Sequence, residues 1–240
     1  MNAMKQQSTY LRGLRRGLGV GVGYFSVSFG FGAMAAAQGI RALDAAMISA
    51  TNLTSAGQFA GLTLIVAGTT LWELILTQLV INSRYALMSL ALGQKMGRDI
   101  GLLPRFAIAF INTDEIFALA IAERETLTTP FMLGLGTMPI LGWTGGTLCG
   151  ALAGSVLPLH IRTALGVMLY GMFVAIVVPP ARKEKPVLAV VVLALIFSCL
   201  FTYLPGLKTV SAGIAIVICT VAAAGICAAL FPIPDEEVAA

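Results

Sequence analysis

Three ionisable side chains lie where an apolar chain has to justify keeping them. Arg84 sits near the middle of "LWELILTQLVINSRYALMSLAL", Leu71 to Leu92, a run long and apolar enough to cross a bilayer. Asp114 and Glu115 sit near the middle of a second apolar run, "FINTDEIFALAIA". Insertion at a helix centre costs about 2.5–3.5 kcal/mol per charged residue, so three facing lipid cost on the order of 8–10 kcal/mol. Pairing, or a water-filled cavity, has to offset most of that. The bland use is a structural ion pair, Arg84 with Asp114 or Glu115, that holds a bundle together. The other use is a polar site on a substrate or ion path, to which intramembrane charges point by default.

Helical geometry limits how these groups combine. Adjacent residues point about 100° apart, so Asp114 and Glu115 cannot share one direction. On the Arg84 helix, Glu73, Thr77 and Arg84 fall within about 40° of one another, and Gln78, Asn82 and Tyr85 form a second stripe roughly 120° away. Two polar faces exclude a helix surrounded by lipid, although Glu73 is near enough to the helix end to reach the interface. Upstream, Ser55 to Gln58 offers hydroxyls, a side-chain amide and, if a helix restarts there, free backbone N–H groups that attract a carboxylate. The same small residues also suit a plain packing seam. His160, beside Pro158, reads as an interface residue.

Other chemistries lack their parts. One histidine excludes a bis-histidine haem site and an H-E-x-x-H zinc site within this chain. No G-x-S-x-G elbow and no Walker motif occurs, so the chain reads as a non-enzyme without cofactor, and any transport would draw on an ion or substrate gradient. Cys149, Cys199, Cys219 and Cys227 lie in apolar runs without metal-ligand spacing and read as packing residues.

The elements that position these groups follow from composition. Of 240 residues, 58% are hydrophobic and 11% charged, with mean hydropathy +0.91. Soluble domains carry roughly 25% charged residues, so this chain is an all-α polytopic membrane bundle, a single integral domain over 1–240. The net charge of +4 gathers between apolar runs, which reports topology and not nucleic-acid binding. Lys5, Arg12, Arg15 and Arg16 before an apolar run imitate a signal peptide, but the run to about Ile40 is longer than a signal core and reads as a retained first helix. Spans are expected near 17–40, 44–67, 70–92, 104–122, 130–157, 160–179, 186–204 and 209–231. The second and fifth carry interruptions, at "SATNLTSAGQF" and at Gly142, Gly145 and Gly146. An offset of roughly 88 positions lays "AGQFAGLTLIVAG" over "TGGTLCGALAGSV". Units 17–92 and 104–179 would then form an inverted repeat of three helices, with the additional helices over 186–231. The basic N-terminus and Arg182, Lys183 and Lys185 place both termini in the cytoplasm. Lys95, Arg98 and Arg105 against Asp99 dissent, and seven spans would accommodate them where the rest favours eight.

Three motifs in order carry a resemblance: "TSAGQF" (Thr54 to Phe59), "NSR" (Asn82 to Arg84) followed by Tyr85, and "TDEIFALA" (Thr113 to Ala120), with "LGVMLYGMFVA" fitting downstream. Together, over roughly residues 20 to 180, they resemble the AzlC-type branched-chain amino-acid exporter family. The resemblance implies export of hydrophobic amino acids across the cytoplasmic membrane by a large subunit working with a short AzlD-type membrane partner. One departure is Ser28-Phe29-Gly30, where relatives often carry proline. A zwitterion needs two poles: Ser55 to Gln58 or Arg84 would take its carboxylate and Asp114 or Glu115 its ammonium. Asn82 completes this polar set, and Phe29, Phe59 and Phe117 would line an apolar pocket. Proton coupling is expected, carried by Asp114 or Glu115 with Asp114 favoured, and the other carboxylate on Arg84. The rivals are a channel, a structural subunit whose ion pair serves assembly only, and a transporter of another substrate.

Overall fold

Backbone amides find no partner in lipid, so apolar spans fold as helices. The computed structural model describes residues 2–97, 100–154, 174 and 177–232. Every named element among them is a helix: α1 (Asn2–Ala37), α2 (Ala42–Thr51), α3 (Ser55–Val66), α4 (Leu71–Lys95), α5 (Leu102–Ile111), α6 (Asp114–Ile121), α7 (Thr129–Gly154), α8 (Lys185–Tyr203) and α9 (Ala212–Leu230). Four stretches, Thr9–Ala37, Leu71–Lys95, Lys185–Tyr203 and Ala212–Leu230, are each long and apolar enough to cross a membrane. The all-α membrane bundle read from composition is the architecture found. Most of the expected sixth helix over 160–179, with His160 and most of "LGVMLYGMFVA", falls outside the described residues.

Two helices are interrupted, but not the two expected. The second span breaks at Asn52–Thr54, between α2 and α3, as its polar run suggests. The fourth, expected continuous, breaks at Asn112 and Thr113. Both take extended backbone there (ψ 100 and 172), and the Thr113 side chain accepts the Ile116 N–H to start α6. The fifth, expected interrupted, is the unbroken α7. Its Gly142, Gly146 and Gly150 recur every four residues on one face, where an added Cβ would overlap backbone atoms of Gly21, Phe25 and Phe29 of α1. Gly13, Gly17, Gly21 and Gly32 answer from α1 against the α7 backbone. These glycines form a seam for close helix approach. An offset of about 88 therefore sets the break at 52–54 against unbroken helix.

The chain divides into two compact units, Met1–Phe59 with Asn82–Leu169, and Ala60–Ile81 with Tyr170–Ala240. In the first, α4 to α7 bury Leu92, Ile108, Ile116, Phe131, Met132 and Leu135 in one cluster. Arg12 pairs with Glu125 at 2.8 Å and Arg16 with Glu123 at 3.4 Å, tying α1 to the segment after α6. In the second, α8 packs on α9, and the Thr77 hydroxyl donates to the Gly213 carbonyl at 3.3 Å. No residue of α8 is buried within the chain, as suits a span whose whole surface is apolar. Gly39 (φ 82) and Gly68 (φ 65) make the left-handed turns after α1 and α3, a conformation costly for side-chain-bearing residues.

Candidate functional site

The two interruptions meet inside the first unit. Leu53, from the first break, and Ile111, at the end of α5, both pack on Trp143 of α7, which is buried. The Tyr24 ring of α1 stands edge-on to that indole, with centroids 5.2 Å apart. Helix α4 reaches both breaks. Thr54 Oγ1 donates to Asn82 Oδ1 at 2.7 Å, and Asn112 Nδ2 donates to Ser89 Oγ at 3.3 Å. Asn82 and Ser89, seven residues apart, share one face of α4. This is the stripe that the sequence assigns to Gln78, Asn82 and Tyr85.

Each break is the start of a helix, and the two starts differ in charge. Thr54 accepts the Gly57 N–H at 3.3 Å and Thr113 the Ile116 N–H at 3.4 Å, so both are threonine caps. The first turn of α6 holds Asp114 and Glu115, which answer the positive end of its dipole. The first turn of α3 holds Ser55, Ala56 and Gly57, with no acid. No acid of its own first turn answers its positive end.

The carboxylates point to different helices, as their adjacency requires. Asp114 Oδ2 lies 2.6 Å from Arg84 Nη1, and the guanidinium also stands over the Tyr85 ring at 5.1 Å. Glu115 accepts from the Tyr24 hydroxyl, whose oxygen is 2.6 Å from Thr113 Oγ1. Of the two pairings that the sequence leaves open, the structure shows the one with Asp114. Asp114 is the partner of Arg84, and Glu115 is held by a neutral phenol. The side chains of Arg84 and Asp114 are each 46% exposed within the chain, so the pair lies on an open face and can be reached.

Gln58 is placed otherwise than expected. Its amide is buried (2% exposed), donating to Ser49 Oγ at 2.8 Å and accepting from Trp143 Nε1. Ser49 in turn shares a 2.7 Å hydrogen bond with Thr147. Both ends of the amide are spent on the bundle, so Gln58 supports the site and is not free for a ligand. Phe59 is buried edge-to-face against Phe31, and Phe117 packs on the hydrophobic cluster of α4 to α7. Ser28 is buried, with its hydroxyl toward the Phe25 and Gly142 carbonyls at 3.3 and 3.4 Å.

The structure thus gathers Asn82, Arg84, Asp114 and Glu115 with the Ser55 helix start around the two breaks. Sequence reasoning missed Tyr24, Asn112, Trp143 and Thr147. The available signal was a polar-tipped aromatic inside a glycine-rich apolar helix, since a buried Tyr or Trp needs a partner for its O–H or N–H. Among the described residues no group of three His, Cys, Asp or Glu side chains could hold a metal ion.

The family model described as AzlC protein matches residues 19–157, more than half of the chain and inclusive of both breaks, Arg84 and all of α7. The chain belongs to the AzlC family. This AzlC chain is 27% identical over 185 residues to the inner membrane protein YgaZ of Escherichia coli (strain K12), covering 74% of the chain and 76% of that protein. It is 28% identical over 181 residues to an uncharacterized membrane protein of Archaeoglobus fulgidus, covering 75% and 79%. A third relative, an uncharacterized membrane protein of Helicobacter pylori (strain J99), is 29% identical over 137 residues, 56% of the AzlC chain and 59% of that protein. No solved structure matches.

Proposed function

We propose that this AzlC-family chain is the large subunit of a secondary transporter that exports branched-chain or other hydrophobic amino acids. It works in the cytoplasmic membrane with a short AzlD-type hydrophobic partner, and both of its termini are cytoplasmic. The observation that carries this reading is the meeting of two interrupted helices at a polar core of α4. Interrupted helices are how many transporters build a substrate site at membrane depth. The acid-free start of α3 at Ser55 suits a substrate carboxylate, and Glu115, whose described partner is a neutral phenol, suits its ammonium.

Energy coupling follows the same arrangement. With Asp114 engaged by Arg84, Glu115 is the carboxylate that exchanges a proton for the departing ammonium, giving amino acid outward and proton inward. The rival reading, a channel or structural subunit, draws on the same Arg84–Asp114 pair, which is self-sufficient as an assembly contact. Efflux separates them. Cells loaded with labelled leucine, isoleucine, valine or methionine should lose it faster with this chain and its small partner than with neither. Equal loss in both would overturn the proposal.

A further inference from the structure

Beside the second break, α4 and α5 flank an open groove of about 210 Å³. Leu92 and Gly93 of α4, Met96 just after it, and Leu102, Phe106 and Ile108 of α5 form its apolar walls. Arg105 is the one charged residue in its lining, and Ser89, which accepts from Asn112 of the second break, is a polar one. Arg105 and Ala109 are one helical turn apart, so the groove follows α5 toward the break over roughly one to two turns. Arg105 Nε donates to the Ile100 carbonyl at 3.0 Å, which anchors the guanidinium and leaves its terminal nitrogens free of that bond. None of the ion pairs among the described residues uses Arg105.

We infer that this groove is a second site for an aliphatic carboxylate of amino-acid size, with the aliphatic chain between α4 and α5 and the carboxylate on Arg105. The size argues for a small occupant. Drug-sized ligands fill roughly 300 Å³ or more, and only small molecules such as a few waters fit this space. A branched aliphatic chain replaces those waters without leaving polar groups unpaired, and the planar guanidinium matches a carboxylate with two parallel hydrogen bonds. Gly93 keeps the space open, since a Cβ added there meets nothing within 4 Å. The choice of an amino acid as physiological occupant rests on the proposed function; the carboxylate chemistry does not. The site then serves as a waiting position beside the break, reached before or after the polar core.

The test uses the full chain carrying Gly93→Cys, with its reaction with N-ethylmaleimide followed by mass spectrometry at that peptide, apart from the native cysteines. L-leucine and isocaproate should slow labelling, and isoamylamine, which lacks the carboxylate, should not. Adding Arg105→Gln should weaken protection roughly tenfold or more, the weight of a hydrogen bond to a charged group, with Arg105→Lys intermediate. Adding Arg84→Ala should leave protection intact. Protection by isocaproate in a chain that fails to transport leucine would retain the site and remove the export reading. The inference is overturned if neither carboxylate protects, if the amine protects equally, if only a long-chain fatty acid protects, or if protection survives Arg105→Gln and is lost with Arg84→Ala.

Discussion

The buried amide of Gln58 gives the sharpest stability test, because each of its ends has one identified partner. Gln58→Leu keeps the volume and removes both hydrogen bonds, leaving the Trp143 Nε1–H buried without an acceptor. Ser49 retains Thr147, so its loss is small. An orphaned buried donor costs about 1–3 kcal/mol, so the single variant should lose roughly 2 kcal/mol. At ~2–4 °C per kcal/mol for a chain of this size, Tm should fall by about 4–8 °C. Trp143→Phe removes the indole donor and also packing against Leu53 and Ile111, so it is costly by itself. Once the donor is gone, Gln58→Leu should cost about 1–2 kcal/mol less than it does alone. Thermal unfolding of the four variants in one detergent measures that coupling. Strict additivity would refute the hydrogen-bond account of Gln58 and leave it a space-filling residue.

Three further outcomes follow from the same contacts. Arg84→Ala strands Asp114 on a half-open face, so its cost should fall below the 3–5 kcal/mol of a sealed pair, at roughly 1–3 kcal/mol; efflux should collapse, with Arg84→Lys restoring part, and full efflux from the alanine variant would contradict this. Glu115→Gln should abolish accumulation driven by a pH difference and weaken substrate binding in exchange, whereas Asp114→Asn should weaken exchange but leave the response to a pH difference in what survives; the reverse pattern in vesicle assays would return the carrier role to Asp114. Gly32→Ala forces a Cβ into the Thr147 carbonyl and should cost about 1–3 kcal/mol by thermal unfolding, while Gly19→Ala, facing open space, should change little.

The contrast between the two interrupted helices explains what was legible in the sequence. The break at Asn52–Thr54 lies in a dense polar run, and composition alone exposes it. The break at Asn112 and Thr113 interrupts an apolar run with only two polar residues before the acids. Its signal was local: a threonine followed by Asp114 and Glu115 is a helix start with an acidic first turn. The opposite error arose in α7, where Gly142, Gly146 and Gly150 read as interruptions. Their four-residue spacing puts them on one face, and a packing seam needs that spacing. Adjacency of Asp114 and Glu115 told that they diverge. Which one meets Arg84 depends on how α4 and α6 approach, and no local pattern encodes that. Gln58 was legible as polar and buried, but its spending on Ser49 and Trp143 is a long-range fact of the fold.

The central claim, that the meeting of the two broken helices is a transport site for hydrophobic amino acids, is tested most directly by counterflow. Proteoliposomes containing this chain and its small hydrophobic partner are loaded with unlabelled L-leucine and diluted into labelled L-leucine. The account predicts transient accumulation of label that saturates with concentration, prefers L- over D-leucine, and disappears with Arg84→Ala. Uptake that rises linearly with concentration and ignores stereochemistry would instead identify a channel, and absence of any uptake would leave the polar core a structural joint.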